Sequence, residues 1–484
     1  MSMRKQFVAI LGLLLGAALT PAANAQQVTG KQLQAGDELA YQLAFQRGAQ
    51  AVIWGAPAAS MMGLIKSAKS QLGAVVNEDI IYFSKPMVSR HGFLTPNNQT
   101  PYVFSLMNTK GGPMVLEVPP ASPKVIFFGT ATDTWQVPIV DVGPEGEDKG
   151  KGGKYLFLPP GYEGEVPKGY FVLRPATYHV STALRPIQIK GGTLEEAVAY
   201  SKQLKAYPLS QAKNPKPNRY IDAFPKTWDT LPHYNLSWFE DLAAVVNEEP
   251  VQTQDLVMMG MLPTIGIEKD KPFKPNPVAA KALDEAITLA YAEMLEYFIT
   301  PGKGFAPYWS DRQWGAPNFP REVLESGFHF AFKDQYLLDH RAGGFAFWAT
   351  WVPKHLGKAT FYLMGQRDKD GKLFDGSSTY RLRVPKDTPA AEFWSVIVYS
   401  RTKDSFAALI PKSERVGTSS YEKAELKSNA DGSIDIYFGP KAPPGFESNW
   451  LPTGQDFFLL FRLYGPEKSL YDKSWTLPDV EKVS

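Results

Sequence analysis

Between Thr100 and His179 proline and glycine interrupt the chain every few residues, and this punctuation limits what can form there. Runs rich in β-branched and aromatic residues (102–107, 114–118, 125–130, 154–158, 169–174) alternate with Gly111-Gly112-Pro113, Pro119-Pro120, Pro159-Pro160-Gly161 and Pro167-Lys168-Gly169. Short runs bounded in this way predict strands of a sandwich or barrel, not alternating βαβ units. The same signals return after Gly343, at 358–363, 378–384, 393–399, 433–438 and 457–463, so each half carries its own strand set. With 40 Gly, 40 Pro and 44% hydrophobic residues in 484, the composition suits a β-rich chain with sizeable cores.

Helical patterns flank and separate these sets. Residues 31–70 carry apolar positions near helical spacing, broken by Gly55 and Pro57, which predicts two helices with a bend. Thr193 and Glu196 form a capping-box start for a helix running to Leu204. The polar, Pro-rich stretch 208–225 reads as the connection between domains, and 235–261 (interrupted at Pro250) and 277–298 read as further helices.

The N-terminus has a secretory pattern: Arg4 and Lys5, an apolar run from Phe7 to Leu19, then Ala23-Asn24-Ala25, which makes Gln26 the expected first mature residue. A periplasmic or secreted location follows, with no stable membrane insertion, since no later run reaches the ~18 uninterrupted apolar residues a span needs. Without Arg4 and Lys5 the chain has 49 basic against 49 acidic residues, a balance that argues against nucleic acid or an anionic membrane as partner. The absence of cysteine excludes disulfides, a lipoprotein anchor and a thiol nucleophile.

Several motifs together resemble a known family. Asn97-Asn98-Gln99-Thr100-Pro101-Tyr102, Gly112-Pro113-Met114-Val115-Leu116, Val118-Pro119, Asp133 and Pro175-Ala176-Thr177 are similar to a bacterial domain of unknown function, DUF1254. Asp368-x-Asp370-Gly371-x-Leu373-x-Asp375-Gly376, Tyr380, Phe393-Trp394-Ser395-Val396-x-x-Tyr399, Asp431-Gly432-Ser433, Pro444-Gly445, Asn449-Trp450-Leu451-Pro452, Arg462-x-Tyr464 and Trp475-x-x-Pro478 resemble its usual partner, DUF1214. The resemblance implies tandem β-sandwich, jelly-roll-like domains in an exported, often oligomeric protein, and it implies no established reaction. The first motif usually reads closer to Asn-Arg-Asp-Thr-x-Tyr, so Asn98 and Gln99 here stand in the charged places. The expected class is therefore mainly β with peripheral helices. Its expected division is a signal peptide 1–25, an N-terminal sandwich with leading helices 26–215, a helical connecting region 216–342 and a C-terminal sandwich 343–484.

Standard catalytic patterns are missing: there is no Gly-x-Ser-x-Gly elbow and no His-Glu-x-x-His zinc helix. The six histidines are scattered, so neither a metal nor a cofactor is expected. The loop 143–154 fits no phosphate-cradle pattern, and Asp370-Gly371 and Asp431-Gly432 read as tight turns, with Asp368, Asp370 and Asp375 closing a hairpin between 361–363 and 378–382 in preference to holding an ion. The candidate ligand residues stand among aromatics: Asp339 and Arg341 before Gly343-Gly344 and Phe345, with Asn449, Trp450, Arg462 and Tyr464 from the last strands. These six are expected to converge on one cleft, with core packing as the alternative. Two function classes follow, a protein binding an extracellular or envelope ligand such as a carbohydrate or other small molecule, and a secreted hydrolase or lyase using Asp, Glu and His.

Overall fold

The computed structural model describes residues 36–347, 352–355, 357–402, 405–410, 413 and 415–483, so the signal-peptide reading and Trp348 lie outside the described residues. In the N-terminal half a six-stranded sheet runs in the order Arg219–Asp222, Asp79–Tyr82, Val103–Asn108, His179–Gln188, Val125–Asp133, Pro138–Val142. A four-stranded sheet, Lys205–Pro208, Met114–Val118, Gly153–Phe157, Phe171–Leu173, covers one of its faces. Because side chains alternate along a strand, Val103, Phe127 and Leu184 point to this partner and pack with Leu116, Tyr155 and Phe157. The C-terminal half repeats the plan. Its six-stranded sheet (Phe305–Pro307, Gly315–Pro317, Thr360–Gly365, Phe457–Pro466, Ala390–Ser400, Gly417–Ser419) packs on a four-stranded one (Trp450–Pro452, Ile434–Gly439, Tyr380–Val384, Glu481–Lys482). Phe457 stacks on Phe374 across that core. The fold is mainly β, with two sandwich units, and among the described residues every sheet draws its strands from one half.

Three local expectations are corrected. The expected division into two helices near Gly55 and Pro57 does not occur, and one helix runs Gly36–Ser67 with Pro57 inside it. Packing on both sides overrides the local breakers, and a Cβ at Gly55 would lie 2.6 Å from Leu242 Cδ1, so that glycine serves close helix contact. Residues 216–342 are not purely helical: Arg219–Asp222 adds an edge strand parallel to Asp79–Tyr82, and Phe305–Pro307 and Gly315–Pro317 join the C-terminal sheet, while Leu338–Phe347 is helix across the expected boundary at 343. An edge position tolerates the neighbouring prolines. The Asp370-Gly371 turn is present, with Gly371 at φ 77° and its N–H donated to the Asp368 carbonyl, but Thr360–Gly365 and Tyr380–Val384 lie in opposite sheets and do not pair. The capping box at Thr193 and Glu196 and the helix Pro277–Ile299 form as read.

The helices Gly36–Ser67, Leu236–Glu248, Pro277–Ile299 and Leu338–Phe347 pack together in one layer, while Leu194–Ser201 lies against the N-terminal sheet. By length and composition Gly36–Leu72 could cross a membrane, yet 83% of its most apolar window is buried in the protein. Trp54, Leu242, Leu283 and Met294 from this layer share one apolar cluster with Leu363, Val396 and Phe458 of the C-terminal sandwich. The other faces of the two six-stranded sheets meet each other. Ile126, Phe128 and Ile187 pack there on Phe393 and Tyr464, whose rings stack at 4.0 Å.

Candidate functional site

Strand register determines what the two facing sheets present to each other. On the N-terminal sheet Phe128 lies opposite Arg185, and Thr130 and Phe104 lie opposite Ala183, so all five side chains share one face. On the C-terminal sheet Tyr362 lies opposite Arg462 and Thr360 opposite Tyr464, with Leu460 and Tyr399 on the same face. Between these faces lies a cavity of about 100 Å³. Its wall runs from Arg185 and Tyr362 past Phe104, Phe128 and Leu460 to Asp141, Glu145 and His355. Glu145 and His355 are exposed and mark its mouth.

Arg462 is fully buried behind this wall. It donates through Nη2 to the Thr95 carbonyl at 2.8 Å and lies 5.0 Å from the Tyr362 ring centroid and 5.4 Å from that of Tyr399, while its Nε and Nη1 find no hydrogen-bond partner. Arg185 donates Nη1 to the Tyr464 hydroxyl at 2.8 Å and lies 5.2 Å from that ring. Among the described residues neither guanidinium has a carboxylate within ion-pair distance. Burial would raise the Tyr362 phenol, but Arg185 first and then Arg462, with the Thr360 hydroxyl, outweigh it and bring it down to about 8. Two buried cations held by phenols and carbonyls alone are an uncompensated cost that a bound anion would remove.

The motif at 97–102 frames this site. Asn97 donates Nδ2 to the Tyr464 hydroxyl at 2.8 Å and to Thr100 Oγ1 at 2.9 Å, and Tyr399 donates its hydroxyl to the Pro96 carbonyl. Within the motif, Gln99 Nε2 donates to Asn98 Oδ1 at 2.9 Å. A Cβ at Gly417 would lie 2.6 Å from Asn98 Oδ1, so glycine lets this turn seat on the C-terminal sheet. At the mouth Asp141 accepts from the backbone N–H groups of Lys354 and His355, from Thr130 Oγ1 and from His355 Nδ1 at 3.0 Å.

The six sequence candidates do not share one cleft. Arg462 and Tyr464 sit at the domain face. Asn449 is buried in the far sheet, where it bonds the backbone of Lys427 and Asp435, and Trp450 donates Nε1 to the Gly439 carbonyl. Asp339 is exposed. Arg341 is buried in the helix layer, stacked between Trp135 and Tyr336 at 4.9 Å from each and bonded to the Tyr336 hydroxyl and the Trp54 carbonyl. They separate because Trp450 opens an edge strand of the outer sheet with Asn449 in the 3-10 turn just before it, and Asp339 and Arg341 lie on a helix. Sequence reasoning missed Arg185, Tyr362, Asp141 and His355. The available signal was Arg185 itself, a lone charge inside the otherwise apolar and hydroxylic run from His179 to Ile187.

A second buried polar cluster lies where the N-terminal sandwich meets the helices. Glu249 accepts from His179 Nδ1 and Thr134 Oγ1, each at 2.7 Å, and from the Tyr178 N–H, and these donors outweigh its burial and lower its carboxyl below the usual range. Burial, and then the Glu249 charge, push neighbouring Asp133 up to about 7. His179 Nε2 is met by Asn108 Nδ2 at 2.9 Å, so both ring nitrogens of His179 have partners within the cluster. No group of three or more His, Asp or Glu side chains suited to a metal ion forms among the described residues.

Comparison with known proteins agrees with this architecture. Residues 76–208 match the family described as Protein of unknown function (DUF1254), and residues 359–468 match Protein of unknown function (DUF1214). The crystal structure of the VPA0106 protein from Vibrio parahaemolyticus is similar in fold at 18% identity, with a TM-score of 0.55 over 91% of this chain and 100% of that one. An uncharacterised protein from Burkholderia cenocepacia aligns at 10% identity, with a TM-score of 0.39 over 93% of this chain and 97% of that one. No curated protein sequence matches the chain.

Proposed function

The chain belongs to the family that pairs DUF1254 with DUF1214, and from the way its two domains enclose one cavity we propose that it is a binding protein for a small anion. The observation that carries this reading is the pair Arg185 and Arg462, cationic and without a carboxylate partner among the described residues, one lining the cavity and the other directly behind it. An arginine fork suits a carboxylate or a similar oxyanion, and burial strengthens the attraction. The volume of about 100 Å³ favours such a ligand over a carbohydrate chain. Export is part of the proposal, carried by the N-terminal pattern. Protein recovered from the periplasm or medium is expected to begin at Gln26 by intact mass, and a cytosolic chain retaining Met1 would refute export.

Isothermal calorimetry at constant ionic strength with formate, acetate, nitrate and phosphate tests the binding. At least one saturable isotherm is expected, weakened tenfold or more in Arg185→Gln. If no anion binds, or if Arg185→Gln binds as wild type does, the reading fails. A second reading, acid–base catalysis of the lyase or hydrolase kind, draws on Tyr362 and on the Asp141–His355 pair in the same wall. Turnover of a bound organic anion that stops in both Tyr362→Phe and His355→Gln would favour it over binding alone.

A further inference from the structure

The wall of the cavity is divided in chemistry along its length, and that division narrows the ligand beyond its charge. Resting on the anion-binding reading, we infer that the site selects a short, branched aliphatic monocarboxylate, its head on Arg185 and its apolar body against Phe93, Phe104, Phe128, Val352 and Leu460. Three observations carry this. Among the described lining residues Arg185 is the one permanent cation, so an inorganic tetrahedral anion would leave oxygens unbonded against the apolar wall. At the opposite end the wall carries Asp141 and Glu145, whose carboxylates repel a second negative charge and disfavour a dicarboxylate. The volume of about 100 Å³ is smaller than the ~150 Å³ apolar cavity that takes benzene, which leaves room for a few methyl groups but not for a sugar or a long chain.

Ala183 sets the depth of the pocket. It follows the same strand alternation as Arg185, lies opposite Thr130 and Phe104, and borders the cavity with a single methyl group. Enlarging it fills the body subsite while leaving the arginine untouched.

Calorimetric titration of the whole mature protein with isobutyrate, acetate, phosphate and succinate tests the inference. Two additional buried methyl groups are expected to make isobutyrate bind roughly fifteen-fold more tightly than acetate. Phosphate and succinate are expected to bind more weakly than acetate. In Ala183→Val the advantage of isobutyrate over acetate is expected to disappear while acetate binding persists, with the ligand-free melting midpoint checked to confirm the fold. A flat series, or tighter binding of phosphate or succinate, overturns this inference and leaves the anion reading standing. If none of the four binds, both fall. Should Ala183→Val not fold, the wild-type series decides alone.

Discussion

The core of each sandwich and the face between the sandwiches are both buried, but they are built from different residues. The C-terminal core is apolar, with Phe457, Leu459, Phe461 and Leu463 pointing to Phe438, Ile436 and Leu382. One residue further along the same strand the opposite face carries Leu460, Arg462 and Tyr464. A single strand thus stabilises a domain with one face and holds two orphan guanidinium donors with the other. Burial alone does not distinguish these faces. Only the first is accounted for by stability, and the second costs free energy that the proposed anion would recover.

The largest expected effect tests the apolar side. Phe457→Ala, which removes a ring stacked on Phe374 and edge-on to Tyr380, is expected to cost about 3–5 kcal/mol in denaturant unfolding. A loss under ~1 kcal/mol would erase the contrast. Next comes the polar seam outside the cavity. The Asp133 carboxyl is raised to about 7 in the folded chain, so its stabilising contribution is present below the unfolded value near 4 and is lost as pH rises through about 7. Asp133→Asn is expected to remove that decline, worth on the order of a few kcal/mol, from urea midpoints measured between pH 4 and 8. An unchanged pH profile would show that Asp133 is not held protonated.

Arg462→Met tests the domain face directly. Replacing an unpaired buried charge by an apolar chain is expected to leave ligand-free stability unchanged or raised by about 1 kcal/mol, while anion affinity falls at least tenfold. A loss resembling that of Phe457→Ala would make Arg462 a structural residue. The smallest effect on binding belongs to Tyr362. Its folded phenol is depressed to about 8 from near 10 unfolded, so deprotonation adds stability on the order of 2–3 kcal/mol as pH rises from 8 to 10. The phenolate also neutralises the arginines, so anion affinity is expected to drop a few-fold as pH rises through about 8. In Tyr362→Phe the affinity should stay flat over that range, and a persistent drop would assign the titration to another group.

Half of the site was legible in the chain. Arg462 and Tyr464 stood out as polar groups in a strongly apolar strand, and Asn97 and Tyr102 within a motif. Arg185 and Tyr362 belong to strands whose apolar neighbours read only as core, and Trp450, chosen for its chemistry, turned out to close an edge by bonding the Gly439 carbonyl. Residue type reports what a side chain is able to do, whereas its face and its partner decide whether it does so.

By itself the sequence determined what depends on neighbours a few residues apart: the short strands, the Asp370-Gly371 and Asp431-Gly432 turns, the Thr193 capping box, the helix at 277–298 and the β-rich class. Only the tertiary structure decided which sheet each strand joined, that the long helix continues through Pro57, and that two domains meet around a cavity. The bonds that create the site span 279 residues from Arg185 to Tyr464 and 367 from Thr95 to Arg462. Local periodicity records that a face is buried but not what lies across from it, because that choice is made by packing between segments far apart in the chain.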